Sequence, residues 1–326
     1  MRVIVTGGCG FAGAAVVRSL VERGDQVLAI DRARKSRKIP ALAPAEGKPG
    51  FVRLEADVSD ARLMRAYFRE FRPDHVIHLA APIGSESDDL YAAGPQAAFG
   101  VAEACADHLS RLDEERRAAF RLVHTLCLKP QADDAPPSPD AAMANAAADF
   151  LDAWCAARGV ATALCAAPDL FGPYAAPGNL IGDLLDGLLG KGEAGLPAFG
   201  DTVREWLPVR DFASGLIDAA LLGAPGGRYG FSVGVERSDR AIAEAVCGRL
   251  DIRSPRADGP WIARVDYGAG EPERGDPALI DPTGAEETLQ WRPHGFHAGL
   301  EATINWALRR HPQARAQAQA LPRAAE

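Results

Sequence analysis

Short apolar runs alternate with amphipathic stretches through the first half of the chain. After the first run, Phe11, Ala14, Ala15, Leu20 and Val21 recur with helical spacing. Apolar runs that alternate with helices indicate buried strands of a parallel sheet covered on both faces. The predicted strands are residues 3–5, 26–30, 51–58, 75–81, 120–128 and 160–166, and later helices of this half are residues 60–71, 89–108 and 140–158.

The pattern changes after residue 170, where strands no longer alternate regularly with helices. Helical spacing predicts helices over residues 178–190, 212–222, 239–250 and 295–310, and a strand over residues 229–235. Prolines predict a loop over residues 130–139, and charged residues predict an exposed helix end or loop over residues 111–117. We expect a first domain over residues 1–170, a second lobe over residues 171–310 with interleaved boundaries, and a flexible tail over residues 311–326.

The first strand leads directly into a glycine-rich turn and then into a helix. The glycines are Gly7, Gly10 and Gly13, with Phe11 and Ala12 between the last two. In a strand–turn–helix context the first glycine permits a tight turn, the second lets the backbone approach a pyrophosphate, and the third allows close helix–strand packing. The free N–H groups at the helix N-terminus then favour phosphate. This stretch predicts a dinucleotide site.

Carboxylates follow the second and third strands. Asp31 comes after the second strand, where a dinucleotide site requires an acceptor for the adenosine ribose hydroxyls, and Asp57 closes the third. Basic residues come next, and they could meet the 2′-phosphate of NADP: Arg32, Arg34, Lys35, Arg37 and Lys38. Because Asp31 would repel that phosphate, the sequence favours NAD over NADP. The alternative for the basic residues is a solvated loop.

Composition narrows the class of protein. Hydrophobic residues make up 47% of the 326 residues and charged residues 25%, which is ordinary for a globular protein. The net charge of −8 argues against a nucleic-acid surface. No apolar run reaches the roughly eighteen residues of a membrane span, and no signal-peptide pattern is present, so we expect a cytoplasmic protein. The six cysteines lack metal-binding spacing, and no metal is expected.

Two distant segments strengthen the interpretation of the first turn. Thr6-Gly7-x-x-Gly10-x-x-Gly13, residues 199–211 (Phe-Gly-Asp-Thr-Val-Arg-Glu-Trp-Leu-Pro-Val-Arg-Asp) and residues 289–293 (Leu-Gln-Trp-Arg-Pro) together resemble the extended short-chain dehydrogenase/reductase family. The nucleotide-sugar epimerases and dehydratases of that family are the most similar. The resemblance covers about residues 1–310.

The resemblance implies a fold, ligands and an assembly. The fold would be α/β, a Rossmann-type doubly wound parallel sheet of order 3-2-1-4-5-6, with a possible seventh strand and a smaller mixed lobe. The cofactor would be NAD, the substrate a nucleotide sugar or a related diphosphate, and the assembly a homodimer formed by a four-helix bundle of residues 89–108 and 140–158. The implied cofactor residues are Gly7, Gly10, Phe11, Ala12, Gly13, Asp31, Arg32, Asp57, Val58, Leu79, Ala80 and Ala81. The implied substrate residues are Asn179, Arg204 and Arg274.

The resemblance fails at the catalytic pair. The family uses a Tyr-x-x-x-Lys pair, in which the Lys cation stabilises the Tyr phenolate that takes the sugar hydroxyl proton, together with a Ser or Thr that orients the reacting oxygen. Thr125 matches the hydroxyl residue, but Ala141 and Asn145 occupy the Tyr and Lys positions. Leu126 and Cys127 replace the Asp-Glu that follows this Thr in the dehydratases, which disfavours 4,6-dehydration.

Two hypotheses follow. In the first, the protein is an epimerase/dehydratase-type enzyme with another base, for which Cys127, Lys129, His124 and Tyr174 are candidates. Strand alternation favours Cys127 and Lys129, because they share the side of Thr125. In the second, it is a catalytically silent member that binds NAD and a nucleotide sugar as a sensor or partner subunit. A plain dehydrogenase that exchanges its cofactor is a weaker alternative.

Overall fold

The computed structural model describes residues 1–32, 39–80, 92–126, 139–191, 193–195, 202–267 and 280–312. The strands are β1 Arg2–Thr6, β2 Gln26–Asp31, β3 Phe51–Glu55, β4 His75–His78, β5 Arg121–Thr125, β6 Thr162–Ala166, β7 Asp169–Phe171, β8 Ala194–Gly195, β9 Val203–Pro208, β10 Gly227–Gly230, β11 Glu236–Ser238 and β12 Val265–Asp266. The α-helices are α1 Phe11–Glu22, α2 Ala61–Phe71, α3 Ala97–Leu109, α4 Glu114–Ala119, α5 Pro139–Ala156, α6 Leu180–Asp186, α7 Val209–Leu222, α8 Asp239–Arg253, α9 Thr283–Thr288 and α10 Phe296–Arg310.

The main sheet has seven strands in the order β10-β6-β5-β4-β1-β2-β3. Every neighbouring pair is parallel. Such a sheet is buried on both faces, which explains why its central strands are almost continuously apolar. The predicted Rossmann-type order 3-2-1-4-5-6 is confirmed, and β10 is the additional seventh strand.

Helices cover both faces of this sheet. Helices α1 and α7 lie on one face, where Val17 and Leu216 belong to the same buried cluster. Helices α2, α3 and α5 lie on the other face, where Phe68, Val101 and Leu151 are buried together. Because all seven strands are parallel, their carboxyl ends lie at one edge of the sheet.

A second lobe follows β6. It contains the three-stranded sheet β11-β9-β7 and the pair β12-β8. Its core joins α6, α8 and α10 around the buried side chains of Trp206, Trp261 and Phe296. The chain leaves this lobe to add α7 and β10 to the main layers. The division at residues 170 and 310 stays a prediction.

Several element boundaries differ from the sequence expectations. Strand β3 ends at Glu55, two residues before Asp57. Helix α3 begins at Ala97, because a π-helical turn that contains Pro95 precedes it. Residues 111–117 were expected as an exposed end or loop, but α4 forms there, capped by Asp113 through a 2.8 Å bond from Arg116 N–H. It was missed because it has no apolar stripe.

Two further strands differ in extent. Strand β5 ends at Thr125, three residues before the predicted end. The strand predicted over residues 229–235 is instead β10, which ends at Gly230, followed by β11 in the second lobe. The chain separates here because β10 pairs with β6 whereas β11 pairs with β9.

The described residues contain no membrane span, metal cluster or disulfide. No helix there is both long and apolar enough to cross a membrane. No group of three or more His, Cys, Asp or Glu side chains in the described ranges is placed to hold a metal ion. Five described cysteines are buried, and none of them forms a disulfide; they are Cys9, Cys105, Cys155, Cys165 and Cys247.

Candidate cofactor and substrate site

The glycine turn has the geometry that a dinucleotide requires. Gly7 has φ of +67°, a conformation that disfavours any residue with a side chain. A Cβ on Gly13 would lie 2.1 Å from the Gly7 carbonyl oxygen, and one on Gly7 would lie 2.5 Å from the Leu79 carbonyl oxygen. The turn therefore depends on glycine, and it brings the start of α1 against the strand ends.

The first turn of α1 carries unsatisfied backbone donors. Gly10 is its N-cap residue and provides no side-chain hydrogen bond, and Phe11 and Ala12 are the first two helical residues. The N–H groups of an uncapped first turn favour a phosphate. A Cβ on Gly10 would lie within 3.2 Å of the Gly7 carbonyl oxygen, so the absence of side chains keeps this cradle open.

Asp31 lies beside the turn, at the end of β2. Its carboxylate accepts the Cys9 N–H and the Arg32 N–H, both at 2.9 Å. The Arg32 guanidinium in turn pairs with Asp57 at 3.3 Å. Asp31 is thus fixed against the backbone of the glycine turn, in the position expected of the ribose-binding carboxylate.

The other residues predicted to bind the cofactor lie at the same edge where the structure describes them. A Cβ on Gly100 would lie 2.2 Å from the Val58 carbonyl oxygen, so α3 packs directly on the turn that carries Asp57 and Val58. After β4, Leu79 N–H donates to the Thr6 carbonyl at 3.1 Å. Ala80 follows it, whereas Ala81 and the basic residues Arg34, Lys35, Arg37 and Lys38 lie outside the described residues.

A small cavity lies at the ends of β4 and β5, against α5. Its volume is about 30 Å³, enough for a water molecule. The strand side is polar, with His78, His124 and Thr125, and the α5 side is apolar. The α5 residues that line it are Ala144, Ala147, Ala148 and Leu151, and Ala80, Gly94 and Ala98 complete the wall.

Both cavity histidines are buried and hydrogen-bonded. His78 Nδ1 and Thr6 Oγ1 are 2.7 Å apart, and burial, with a smaller effect of His124, lowers the pKa of His78 to about 3. His124 Nε2 lies 2.8 Å from Asp152 Oδ1, which also accepts the Thr162 hydroxyl at 2.8 Å. Sequence reasoning missed Asp152, because nothing in the sequence connects a helix residue with a strand residue 28 positions away.

The Asp152 carboxylate is suited to orient His124. Burial acts to raise the pKa of Asp152, but the hydrogen bonds from His124 and Thr162 outweigh it, so that this pKa is lowered. Arg228 adds a contact of 3.5 Å to the other carboxylate oxygen. Because Nε2 is held by Asp152, Nδ1 is the ring nitrogen of His124 that is left for proton transfer.

The predicted catalytic positions are only partly described. Thr125 lies at the cavity, whereas Cys127 and Lys129 lie outside the described residues. Positions 141 and 145 fall in the first two turns of α5, where Asn145 is half-buried. The side chain of Ala141 lies outside the described part. The alanines that follow on α5 bring no proton-transfer group to the cavity.

Tyr174, another candidate base, packs between two helices. It has φ of +70° in the loop after β7. Its ring lies between the Arg18 guanidinium, 5.0 Å away, and the Trp306 ring, also 5.0 Å away. These contacts join α1 to α10, and Tyr174 is not among the residues that line the cavity beside Thr125.

Two of the residues predicted to bind substrate, Asn179 and Arg204, lie in the second lobe. Asn179 caps α6: its Oδ1 accepts Gly182 N–H at 3.3 Å and its Nδ2 donates to the Leu170 carbonyl at 2.8 Å. Arg204 lies 3.5 Å from the carboxylate of Asp239, of which only 1% is exposed. Arg274 lies outside the described residues. Both described residues therefore have protein partners.

Buried polar atoms without partners cluster near Arg204. They are Trp206 Nε1, Arg237 Nε and Asp239 Oδ1. Arg204 and Arg237 are cross-strand neighbours on β9 and β11. Burial raises the pKa of Asp239, opposed by the charge of Arg204. Since an unpaired buried polar atom costs about 1–3 kcal/mol, this cluster suits a polar ligand that would satisfy these atoms.

The comparisons agree with this geometry. The family model for the NAD dependent epimerase/dehydratase family matches residues 3–112. The chain is 30% identical to the probable dTDP-glucose 4,6-dehydratase of Sinorhizobium fredii, covering 94% of this chain and 93% of that protein. It is 28% identical, with the same coverage of both proteins, to dTDP-glucose 4,6-dehydratase 1 of Escherichia coli K12.

Solved structures share the fold. The dTDP-glucose 4,6-dehydratase of Bacillus anthracis, in complex with NAD, superposes with a TM-score of 0.78 at 18% identity, covering 98% of this chain and 99% of that one. The UDP-glucose 4-epimerase of Thermus thermophilus gives 0.72 at 23% identity, with 94% and 99% covered. The glycine cradle and Asp31 fit the cofactor after which the family is named. The chain belongs to the NAD-dependent epimerase/dehydratase family, as the sequence resemblance implied.

Proposed function

We propose that the protein is an NAD-dependent epimerase/dehydratase-type enzyme that acts on a nucleotide-activated sugar and uses a non-standard base. The observation that supports this most directly is the complete glycine cradle on the same sheet edge as Thr125 and the His124–Asp152 pair. The relatives named dTDP-glucose 4,6-dehydratase match over almost their whole length, which supports the same substrate class.

Each part of the edge has a role in this proposal. The first turn of α1 holds the pyrophosphate, and Asp31 accepts the ribose hydroxyls. When bound, NAD supplies a hydride acceptor and donor. The Thr125 hydroxyl orients the sugar oxygen that loses its proton. In the second lobe, Asn179 and Arg204 bind the nucleotide diphosphate, since arginine donates parallel hydrogen bonds to phosphate oxygens, and Arg274 lies near the nucleotide.

The base is the part that departs from the family. Cys127 and Lys129 remain candidates from the sequence. His124 gains support from its described contacts, because Asp152 orients its ring and leaves Nδ1 to accept a proton. Strand alternation places His124 and Thr125 on opposite sides of β5, which argues against His124 as the base. Both residues nevertheless line the same cavity. A water there would carry the proton between them.

The residues that follow Thr125 favour epimerisation over 4,6-dehydration. Dehydration needs an acid and a base to remove the elements of water, and in the resembling dehydratases an Asp-Glu pair follows the Thr. Leu126 and Cys127 stand there instead. This substitution separates the chain from the dehydratases to which it is otherwise similar, and the carbon that reacts is to be determined by product analysis.

The decisive experiment is an assay of the NAD-loaded protein with a panel of dTDP- and UDP-sugars. Products are analysed by mass spectrometry and NMR, while absorbance follows reduced nicotinamide. Thr125→Val should reduce turnover by about 100-fold or more, because it removes an orienting hydroxyl. Thr288→Val, at an exposed threonine in α9, is the matched control and should leave turnover unchanged.

The base is identified by the same assay on three variants. The variants are His124→Gln, Cys127→Ser and Lys129→Gln. The variant that lacks the base should show the largest loss of turnover and a changed pH profile. Equal rates for all three variants and the parent protein would exclude the whole set. Full turnover by Thr125→Val would exclude the orienting role.

A second function is favoured by the apolar wall of α5. Ala144, Ala147 and Ala148 line the cavity, and Ala141 and Asn145 stand where the family has its catalytic pair. A silent member of the family, which binds NAD and a nucleotide sugar as a sensor or partner subunit, would not need the catalytic pair. Tight binding of both ligands without conversion of any sugar would support this alternative.

Restoring the pair tests the silent alternative directly. The double variant Ala141→Tyr and Asn145→Lys should create measurable hydride transfer if loss of the pair is the only defect. The control is Ala142→Tyr with Ala146→Lys, at exposed α5 positions one residue along the helix, which should create none. Absence of any gain in the restored variant, with NAD still bound, would argue against simple loss of the pair.

The proposed assembly is a homodimer formed by α3 and α5. These helices carry Phe99 and Phe150, which are 38% and 37% exposed and 6.3 Å apart between ring centroids. Phe150→Glu should shift the mass measured by light scattering from dimer to monomer. Ile252→Glu, at a residue of α8 that is 71% exposed, should not. A parent protein that is already monomeric would contradict the proposal.

A further inference from the structure

A second cavity lies at the amino-terminal edge of the main sheet. It has a volume of about 890 Å³, within the range typical of small-molecule sites. Arg2 begins β1 and His75 begins β4, so this edge is opposite the one that carries the glycine turn. The last turns of α2 and α3, the residues that follow them, and α4 complete the cavity. The residues used below are Arg69, Arg72, Asp74, His108, Arg111 and Arg116.

The lining is strongly basic. Five arginines face this cavity, whereas Asp74 is the one carboxylate among its described lining residues. Asp74 accepts the backbone N–H of Arg2 at 2.7 Å. The whole chain has a net charge of −8, so the cavity concentrates positive charge on a protein that is otherwise acidic.

Local structure accounts for some of these arginines. Arg69 and Arg111, near the carboxyl ends of α2 and α3, both bind Asp107, at 3.3 and 2.9 Å. Cations are favoured at helix carboxyl ends. Arg116 lies 3.7 Å from Asp113 on the same short helix. These three side chains support the rim of the cavity.

Two arginines have no such explanation. The Arg2 guanidinium lies over the Phe71 ring at 5.2 Å, yet its Nε is buried without a hydrogen-bond partner among the described residues. Arg72 is the residue after α2, in the left-handed conformation, and makes no ion pair with any described residue. A buried donor without an acceptor costs about 1–3 kcal/mol, so Arg2 favours a ligand that supplies the acceptor.

A histidine in the cavity wall adds a second unsatisfied atom. His75 is 7% exposed, and its Nδ1 is buried without a hydrogen-bond partner in the part of the chain that the structure describes. Burial, as the largest effect, lowers the pKa of His75, so the ring is neutral near pH 7 and one nitrogen can donate. The other histidine, His108, already bonds the Pro73 carbonyl through Nε2 at 2.8 Å.

We propose that this cavity binds a small phosphate-bearing anion through Arg2, Arg72 and His75, with the rim arginines contributing long-range charge. Arginine suits phosphate because its guanidinium donates two parallel hydrogen bonds to two oxygens. A phosphate has oxygens enough to accept from both guanidinium groups and the imidazole at once. The site lies at the edge opposite the cofactor turn and does not depend on the proposed function.

Calorimetric titration with inorganic pyrophosphate tests the proposal. The protein is saturated with NAD throughout, so that the cofactor cradle is filled, and ionic strength is held constant with sodium chloride. Pyrophosphate should bind with a Kd below about 1 mM, and Arg72→Gln with Arg2→Gln should weaken it by about tenfold or more. Arg309→Gln, at an exposed arginine of α10, is the matched control and should leave the Kd unchanged.

Parallel titrations distinguish the source of the phosphate. Tighter binding of a phosphate monoester such as glycerol 3-phosphate than of inorganic phosphate would assign an organic phosphate, and the reverse order would assign the free ion. Because Arg2 contributes to β1, the single variant Arg72→Gln provides a test that does not disturb the sheet. Lack of pyrophosphate binding by the parent protein, or equal Kd values in the parent and both cavity variants, would overturn the proposal.

Discussion

The carboxyl edge of the main sheet has two unlike halves. The cofactor half, at the ends of β1, β2 and β3, is built from glycines without side chains and from Asp31 bonded to the backbone. The chemistry half, at the ends of β4 and β5 with α5, is a small cavity between two buried histidines and a wall of alanine. The difference teaches that binding geometry held by the backbone can persist when the groups that move protons have been replaced.

The largest effect is expected in the cofactor half. Gly13→Ala would place a Cβ 2.1 Å from the Gly7 carbonyl oxygen, so the turn must open. We expect loss of detectable NAD binding and destabilisation of about 1–3 kcal/mol, the usual range for an overpacked site. Calorimetry with NAD and urea unfolding measure the two effects.

A glycine elsewhere provides the control for this change. A Cβ on Gly248, in α8, would meet nothing within 4 Å. Gly248→Ala should therefore keep NAD binding and raise stability by about 0.5–1 kcal/mol, as expected for alanine in a helix. Normal NAD binding by Gly13→Ala would contradict the role given to the turn.

The next effect concerns the buried His78 of the chemistry half. Its pKa is lowered to about 3 by burial, from 6.5, so the unfolded chain binds this proton more readily than the folded one. The contribution of His78 to the free energy of unfolding is fully present above pH 6.5. It is lost as the pH falls towards 3, at up to about 1.4 kcal/mol per pH unit. His78→Asn, which keeps a polar atom near Thr6, should reduce this dependence.

Urea unfolding between pH 7 and pH 4 measures the His78 effect. Other groups titrate in this range, so the quantity of interest is the difference in slope between variant and parent. His297→Asn, at an exposed histidine of α10, should retain the parent slope. Parallel curves for His78→Asn and the parent would show that His78 does not carry the dependence.

A moderate effect is expected at Asp31 in the cofactor half. Asp31→Ala removes the acceptor for the Cys9 N–H and the proposed acceptor for the adenosine ribose. NAD binding should weaken by about tenfold, or 1.4 kcal/mol. Glu46→Ala, at an exposed carboxylate, should leave the calorimetric Kd unchanged. An unchanged Kd for Asp31→Ala would remove Asp31 from the cofactor site.

The smallest effect is expected just beyond β6. Burial raises the pKa of Asp169, and the charge of Arg204 opposes this effect. The contribution of Asp169 to the free energy of unfolding is therefore present below pH 3.8 and is lost as the pH rises through the raised pKa. Asp169→Asn should therefore be more stable than the parent at pH 7, by less than about 1 kcal/mol, and equal to it in acid. Asp149→Asn, at an exposed α5 position, should show no such gain in urea unfolding. Lower stability of Asp169→Asn than of the parent at pH 7 would show that the ionised carboxylate of Asp169 stabilises the folded protein.

The two halves also differ in how far the sequence predicted them. Gly7, Gly13 and Asp31 were predictable because their roles are set by backbone conformation and by spacing along one strand–turn–helix unit. The pairing of His124 with Asp152 was not, since it depends on how α5 packs over β5. Likewise, the sequence predicted Arg204 as a ligand residue but gave no sign of its contact with Asp239, which lies in a different element.

The pairing of β10 with β6 has a consequence for how the protein is made. Strand β6 ends at Ala166, but its edge is covered only by β10, which begins at Gly227. At about 5–20 residues per second, a ribosome takes roughly 3–12 seconds to add the intervening segment. During that interval an apolar strand edge stays open, and open edges recruit other chains. The growing polypeptide is thus most prone to aggregation when six strands of the main sheet are complete and the seventh, β10, is still missing.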